Sequence, residues 1–139
     1  MDVLDQLQWR ANVLLSGRYE DLARQYDQPL PVFLGDQRLT FASNTILASY
    51  FKTFHSALNE RGIAALAPTL IARELPRKGR FRLWVQWDYG RPQQPPSHSA
   101  DCIYYCRSGD GGLVTEMIQY TRIGLPDLCR MQDDLRAYC

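Results

Sequence analysis

The chain has 139 residues, of which 45% are hydrophobic and 22% charged, the balance of an ordinary globular protein with one core. A formal net charge of +1 gives no electrostatic basis for binding nucleic acid or an acidic membrane surface. Met1–Arg10 (MDVLDQLQWR) is acidic and polar from its second residue, unlike a signal peptide, and no stretch approaches the ~20 apolar residues of a membrane span. A cytoplasmic location is therefore expected, with the four cysteines reduced.

Leu4, Leu7, Ala11, Leu14 and Leu15 form an apolar stripe at helical spacing, which predicts a first helix over Asp2–Ser16, broken by Gly17. Tyr19, Leu22, Ala23 and Tyr26 share one face of a second helix over Arg18–Asp27, stopped by Pro29 and Pro31. Val32–Leu34 and Arg38–Phe41, separated by Gly35-Asp36, read as a small hairpin. Ser43 or Asn44 caps a third helix with Ile46, Leu47, Tyr50, Phe51, Phe54 and Leu58 as its buried stripe, and Gly62 ends it. Ile63–Leu75 reads as a strand in which Pro68 demands an edge position or a bulge.

Arg80–Tyr89 (RFRLWVQWDY) alternates strictly, with Phe81, Leu83, Val85, Trp87 and Tyr89 on the buried face. The proline-rich loop Arg91–His98 connects it to a strand over Ser99–Arg107. Ser108–Gly112 then turns the chain into a last strand over Leu113–Ile123, and Pro126, Leu128, Met131 and Leu135 suggest a short terminal helix. Cys102 and Cys106 are four apart on a strand, roughly 13 Å, too far for a disulfide or a shared metal. With no CxxC and only His55 and His98, no metal site and no cofactor are expected. P-loop, GxGxxG, GxSxG and HExxH signatures are absent.

Helices before strands argue for α+β, with helices packed on one face of a curved sheet. The passages SGRYEDLARQYDQPLPVFL, the long helix from Asn44, and RFRLWVQWDY, CIYYCR and GGLVTEMIQYT carry a resemblance to the nuclear-transport-factor-2-like (SnoaL-like) superfamily. It extends from Leu4 to about Leu125, within a single domain of residues 1–139 whose tail is 126–139. The resemblance implies a cone-shaped, cystatin-like fold in which a curved antiparallel sheet packs on the N-terminal and central helices. It also implies a two-fold dimer through the sheet. Its members include isomerases, cyclases, dehydratases and dimerisation modules, so it implies no single chemistry.

If the last hairpin closes symmetrically around Asp110, Cys106 faces Val114, Tyr104 faces Glu116 and Cys102 faces Ile118. That register puts Glu116 on the apolar face toward the helices. There a carboxylate must be paired, hydrogen-bonded or open to a cavity, and it becomes a candidate general acid or base with Tyr104 as its supporting donor. The alternative is an arginine clamp on Glu116 or a slipped register. The reverse face, with Trp84, Ile103, Tyr105 and Met117 among charges, suits homodimerisation. The resemblance puts Asp36 near the place where the superfamily's ketosteroid isomerases carry their base, but Gly35-Asp36-Gln37 is ordinary turn chemistry. His55 lies beside the third helix's stripe, and Tyr19 and Tyr26 have the spacing of core residues; no complete catalytic set transfers.

The expectation is a homodimeric small-molecule-binding protein whose pocket is walled by Trp87, Tyr104, Tyr120, Tyr26, Tyr50 and Phe54 and takes a small apolar organic ligand. Two alternatives stand beside it. One is a cofactor-free isomerase, cyclase or dehydratase using Glu116; the other is an interaction module with a filled interior.

Overall fold

A computed structural model describes residues 2–123, and the expected terminal helix lies outside them. Helix α1 (Val3–Leu15) begins where the Asp2 carboxylate accepts the Asp5 N–H at 2.8 Å. It ends in a Schellman motif. Gly17, at φ +79°, donates to Leu14 O, and Arg18 donates to Val13 O.

Helix α2 spans only Tyr19–Ala23. It is shorter than the apolar spacing predicts because the backbone after it is claimed by a strand. Thr115 N–H donates to Gln25 O, and Asp27 N–H donates to Thr115 O, both at 2.9 Å. The chain then enters β1 (Leu30–Leu34) and β2 (Gln37–Phe41), joined by the two-residue turn Gly35-Asp36. Helix α3 (Asn44–Glu60) is capped by the Ser43 hydroxyl, and Gly62 (φ +70°) closes it through a second Schellman motif, Ile63 N–H to Leu58 O. Leu58 and Ile63, the apolar pair of that motif, are 2% and 1% exposed, and burying each contributes about 1.5–3 kcal/mol.

Four long strands follow: β3 (Ala65–Arg73), β4 (Arg80–Gly90), β5 (Ser97–Gly109) and β6 (Gly112–Ile123). They pair antiparallel in sequence order, whereas β1 joins β6 in parallel, so the six-stranded sheet is mixed, in the order β2-β1-β6-β5-β4-β3. β3 is an edge strand, which is how Pro68 is tolerated, and its ladder shifts at Ile71. The alternation of β4 holds: Phe81, Leu83, Val85 and Tyr89 are buried. The helices cover that face, α1 packing against β3 and α2 against α3. One apolar core runs between helices and sheet. No helix among the described residues is long and apolar enough to cross a membrane.

The β5–β6 hairpin differs from the symmetric closure expected. Gly109 pairs with Gly112, leaving the two-residue turn Asp110-Gly111, so Cys106 faces Thr115 and Arg107 faces Val114. The register then shifts between Tyr105 and Cys106, where Glu116 is the extra residue on β6. Beyond it Tyr104 faces Ile118 and Cys102 faces Tyr120. The turn therefore exchanges the faces near the tip, and the bulge restores them farther along. Thr115 enters the core, 0% exposed, and Glu116 does not.

Candidate functional site

Between the sheet and the helices lies a cavity of about 110 Å³. Arg10, Ala11 and Leu14 from α1 line one side, and Tyr50, Phe51 and Phe54 from α3 another. Trp87, Tyr89, Tyr104, Ile118 and Tyr120 form the sheet wall, and Tyr26 with the β1–β2 hairpin completes the enclosure. All six residues read from the sequence as a wall, Trp87, Tyr104, Tyr120, Tyr26, Tyr50 and Phe54, border this one space. Alternation explains the strand members, since Trp87, Tyr104 and Tyr120 point to the helix side of the sheet. Helical spacing explains Tyr50 and Phe54, four apart on α3 with ring centroids 6.1 Å apart. The Tyr50 ring stacks on Phe41 at 5.0 Å, and Tyr26 meets Phe51 at 5.6 Å.

Tyrosine hydroxyls are among the polar atoms of the wall. Tyr104 Oη accepts a hydrogen bond from Trp87 Nε1 at 2.9 Å. Burial raises the pKa of Tyr50, Tyr104 and Tyr120, and also of Tyr26, where the nearby Arg10 guanidinium opposes it. Burial therefore disfavours ionisation of these hydroxyls. Burial likewise pushes the Cys102 thiol up to about 12 and Cys106 to about 11, so neither is a nucleophile at neutral pH.

Among the described lining residues one is charged, and it escaped the sequence reading. Arg10 is 4% exposed. Its Nη1 donates to Thr115 Oγ1 at 2.7 Å, and its Nη2 donates to Leu113 O at 3.0 Å and Gln25 O at 3.2 Å. The guanidinium carbon lies 4.6 Å from the centroid of the Tyr26 ring. A signal was present in the sequence. Arg10 stands three residues after Leu7 and four before Leu14, on the same helical face.

Glu116 requires a correction. It is absent from the cavity's described lining, and its carboxylate accepts from Arg80 Nε at 3.1 Å with Arg107 Nη1 at 3.8 Å. Arg107 also holds Asp27. The bulge turns Glu116 away from Tyr104 and into this arginine pair, so the hairpin does not place it as a cavity acid. Among the described lining residues there is no carboxylate and no histidine. Asp36 is exposed in its turn. His55 Nδ1 shares a 2.6 Å hydrogen bond with Tyr19 Oη, and neither residue borders the cavity. Glu74 is held by the Arg82 fork at 2.8 Å on both oxygens, which lowers its pKa. No group of three or more His, Cys, Asp or Glu able to hold a metal ion occurs among the described residues.

On the opposite face of the sheet Trp84 pairs with Ile103 and Tyr105 with Met117, each partly exposed. The Arg82 guanidinium covers Trp84 at 4.9 Å, and Tyr105 Oη donates to Gln119 Oε1.

The architecture is the nuclear-transport-factor-2-like, or cystatin-like, cone. The chain is similar to Aln2 from a Streptomyces species, with a TM-score of 0.62 and 11% identity over 94% of this chain and 92% of that one. It is also similar to a domain of unknown function with a cystatin-like fold from Nostoc punctiforme, with a TM-score of 0.60 and 14% identity over 97% and 86%. A third is an NTF-2-like protein of unknown function from Shewanella oneidensis, with a TM-score of 0.60 and 11% identity over 85% and 94%. At these identities the likeness is one of fold. No family model matches the sequence, and no curated protein matches it.

Proposed function

We propose that this protein binds a small, largely apolar organic molecule in the cavity between helices and sheet, in the cytoplasm and as a homodimer. The observation that carries the reading is the wall: a space between helices and sheet bordered by Tyr26, Tyr50, Tyr104 and Tyr120, with aliphatic side chains between them. Such a wall suits a ligand whose apolar body is held by rings and whose acceptor atoms are met by phenol donors. The size limits the guest. About 110 Å³ is less than the ~150 Å³ of a cavity that admits benzene.

The isomerase, cyclase or dehydratase reading needs a proton acceptor at the ligand. The described wall offers phenols held protonated by burial, which favours binding over proton transfer. Ligand-observed NMR with a set of small organic molecules tests the proposal. Binding should occur in the native chain and vanish in Ala100→Leu, whose larger side chain fills the cavity from β5. Binding that is unchanged in that variant would place the guest elsewhere.

For the dimer, the supporting observation is the adjacency of Trp84, Ile103, Tyr105 and Met117 on the face that the helices leave uncovered. Light scattering after size exclusion should give twice the chain mass, and Tyr105→Arg should halve it. A monomeric native chain would remove this part of the proposal.

A further inference from the structure

The cavity carries a positive charge without a counter-ion. Arg10 lines it and is buried, and none of the ion pairs among the described residues includes Arg10. Its three hydrogen-bond acceptors, the Thr115 hydroxyl and the carbonyls of Gln25 and Leu113, are all neutral. They fix the guanidinium in place but do not neutralise it. Buried charges are ordinarily paired, because leaving water without a partner is expensive.

Acids near in sequence or space are committed elsewhere. Asp27, two residues beyond the Gln25 carbonyl that Arg10 holds, is turned to Arg107, and Glu116, next to Thr115, goes to Arg80 and Arg107. Three of the five guanidinium N–H groups are used by the protein acceptors, which leaves two for the Tyr26 hydroxyl and a guest. The Tyr26 ring lies against Arg10, and the rest of the described wall near it is apolar or phenolic. A cation beside the Tyr26 ring, on a residue that borders a mostly apolar space, is complementary to an anion with a short hydrocarbon tail.

We propose that the guest of this cavity is a small monocarboxylate, its carboxylate paired with Arg10 and its hydrocarbon part against Phe54, Trp87 and Tyr120. This rests on the binding reading above and narrows it to one ligand class. A volume of about 110 Å³ keeps the guest to a short acid, and isobutyrate, with as many non-hydrogen atoms as benzene, probes the upper end of that size.

The test compares isobutyrate with isobutyramide, which has nearly the same shape and no charge. Both are titrated by NMR into the native chain and into Arg10→Met, at neutral pH where the acid is ionised. In the native chain isobutyrate should bind at least about tenfold more tightly, since a charge-assisted hydrogen bond is roughly twice as strong as a neutral one. Its addition should also move the Arg10 Nε–H resonance, and the preference should disappear in Arg10→Met. Equal binding of acid and amide to the native chain would overturn the carboxylate assignment and leave the binding function standing. A preference that survives in a folded Arg10→Met would overturn it as well. Binding of neither, together with no guest from the wider set of small organic molecules, would overturn the assignment and the binding function with it. The native-chain comparison and the Arg10 resonance decide the matter even if Arg10→Met does not fold.

Discussion

Thr115 is the residue on which the buried arginine turns. Its hydroxyl accepts from Arg10 at 2.7 Å in a position with no solvent access, so a guanidinium donor has no alternative there. Thr115→Val keeps the shape and removes the acceptor. It should lower the unfolding free energy by about 1–3 kcal/mol, the cost of leaving a buried donor unmade. Thr115→Ser, which keeps the oxygen and loses one methyl, should cost about 1 kcal/mol. Urea denaturation of both variants measures the difference, and equal losses would mean that packing alone holds Arg10.

The wall tyrosines make a second prediction of the same kind. Tyr26, Tyr50, Tyr104 and Tyr120 have folded pKa values raised above the ordinary 10.0 by burial. Between that value and the raised one the unfolded chain loses a proton that the folded chain keeps. Stability is therefore intact below about pH 10 and falls as pH rises beyond it. Tyrosinate absorbance should show these four ionising together with unfolding in alkali. Smooth ionisation of every tyrosine while the fold persists would contradict it.

Arg10 also shows why charge was a poor guide in the sequence. Its spacing to Leu7 and Leu14 places it on the buried stripe, but an arginine in a polar N-terminal stretch reads as solvated. The acceptors that make its burial possible come from residues 25, 113 and 115, contacts that no local pattern displays.

Among the helices and strands, ends and faces were legible because their causes are local. The Ser43 cap, Gly17, Gly62 and the alternation of β4 each depend on a few neighbouring residues. The register of the last hairpin depends on turn length. Asp110-Gly111 makes the turn with Gly112 at φ +109° after it, and a loop centred on Asp110 alone shifts the pairing by one. The bulge at Glu116 has no such local mark, so the facing of that acid was not legible.

The turn carries its own prediction. Gly112 has φ +109°, and a Cβ there would lie 2.6 Å from Gln6 Oε1, the acceptor of the Leu113 N–H. Gly112→Ala should cost about 1–3 kcal/mol, while Gly111→Ala, with open space around its Cβ position, should cost less. Thermal unfolding of the pair checks the order, and a reversed order would mean that the turn conformation is misassigned.

Across the assembled fold, the aromatic wall follows from patterning, because period-two strands and a period-3.6 helix aim their rings at one space. Whether that space stays open is a matter of packing density and is settled only when all the elements come together. The parallel β1–β6 pair is of the same kind: it unites the first strand with the last, and neither segment announces the other. Together these contacts place Arg10 of α1 directly against β6, with the Tyr26 ring beside it.

The binding function proposed for this protein depends on the cavity being open to a guest. A high-resolution crystal structure of the purified protein soaked in isobutyrate addresses that point without an intermediary. Density is expected for one guest molecule bounded by Tyr104, Trp87 and Tyr120, with its polar end toward Arg10. A cavity closed by rotated Tyr50, Phe54 or Tyr120 rings, with no guest after soaking, would contradict the binding function and leave the interior as filled core.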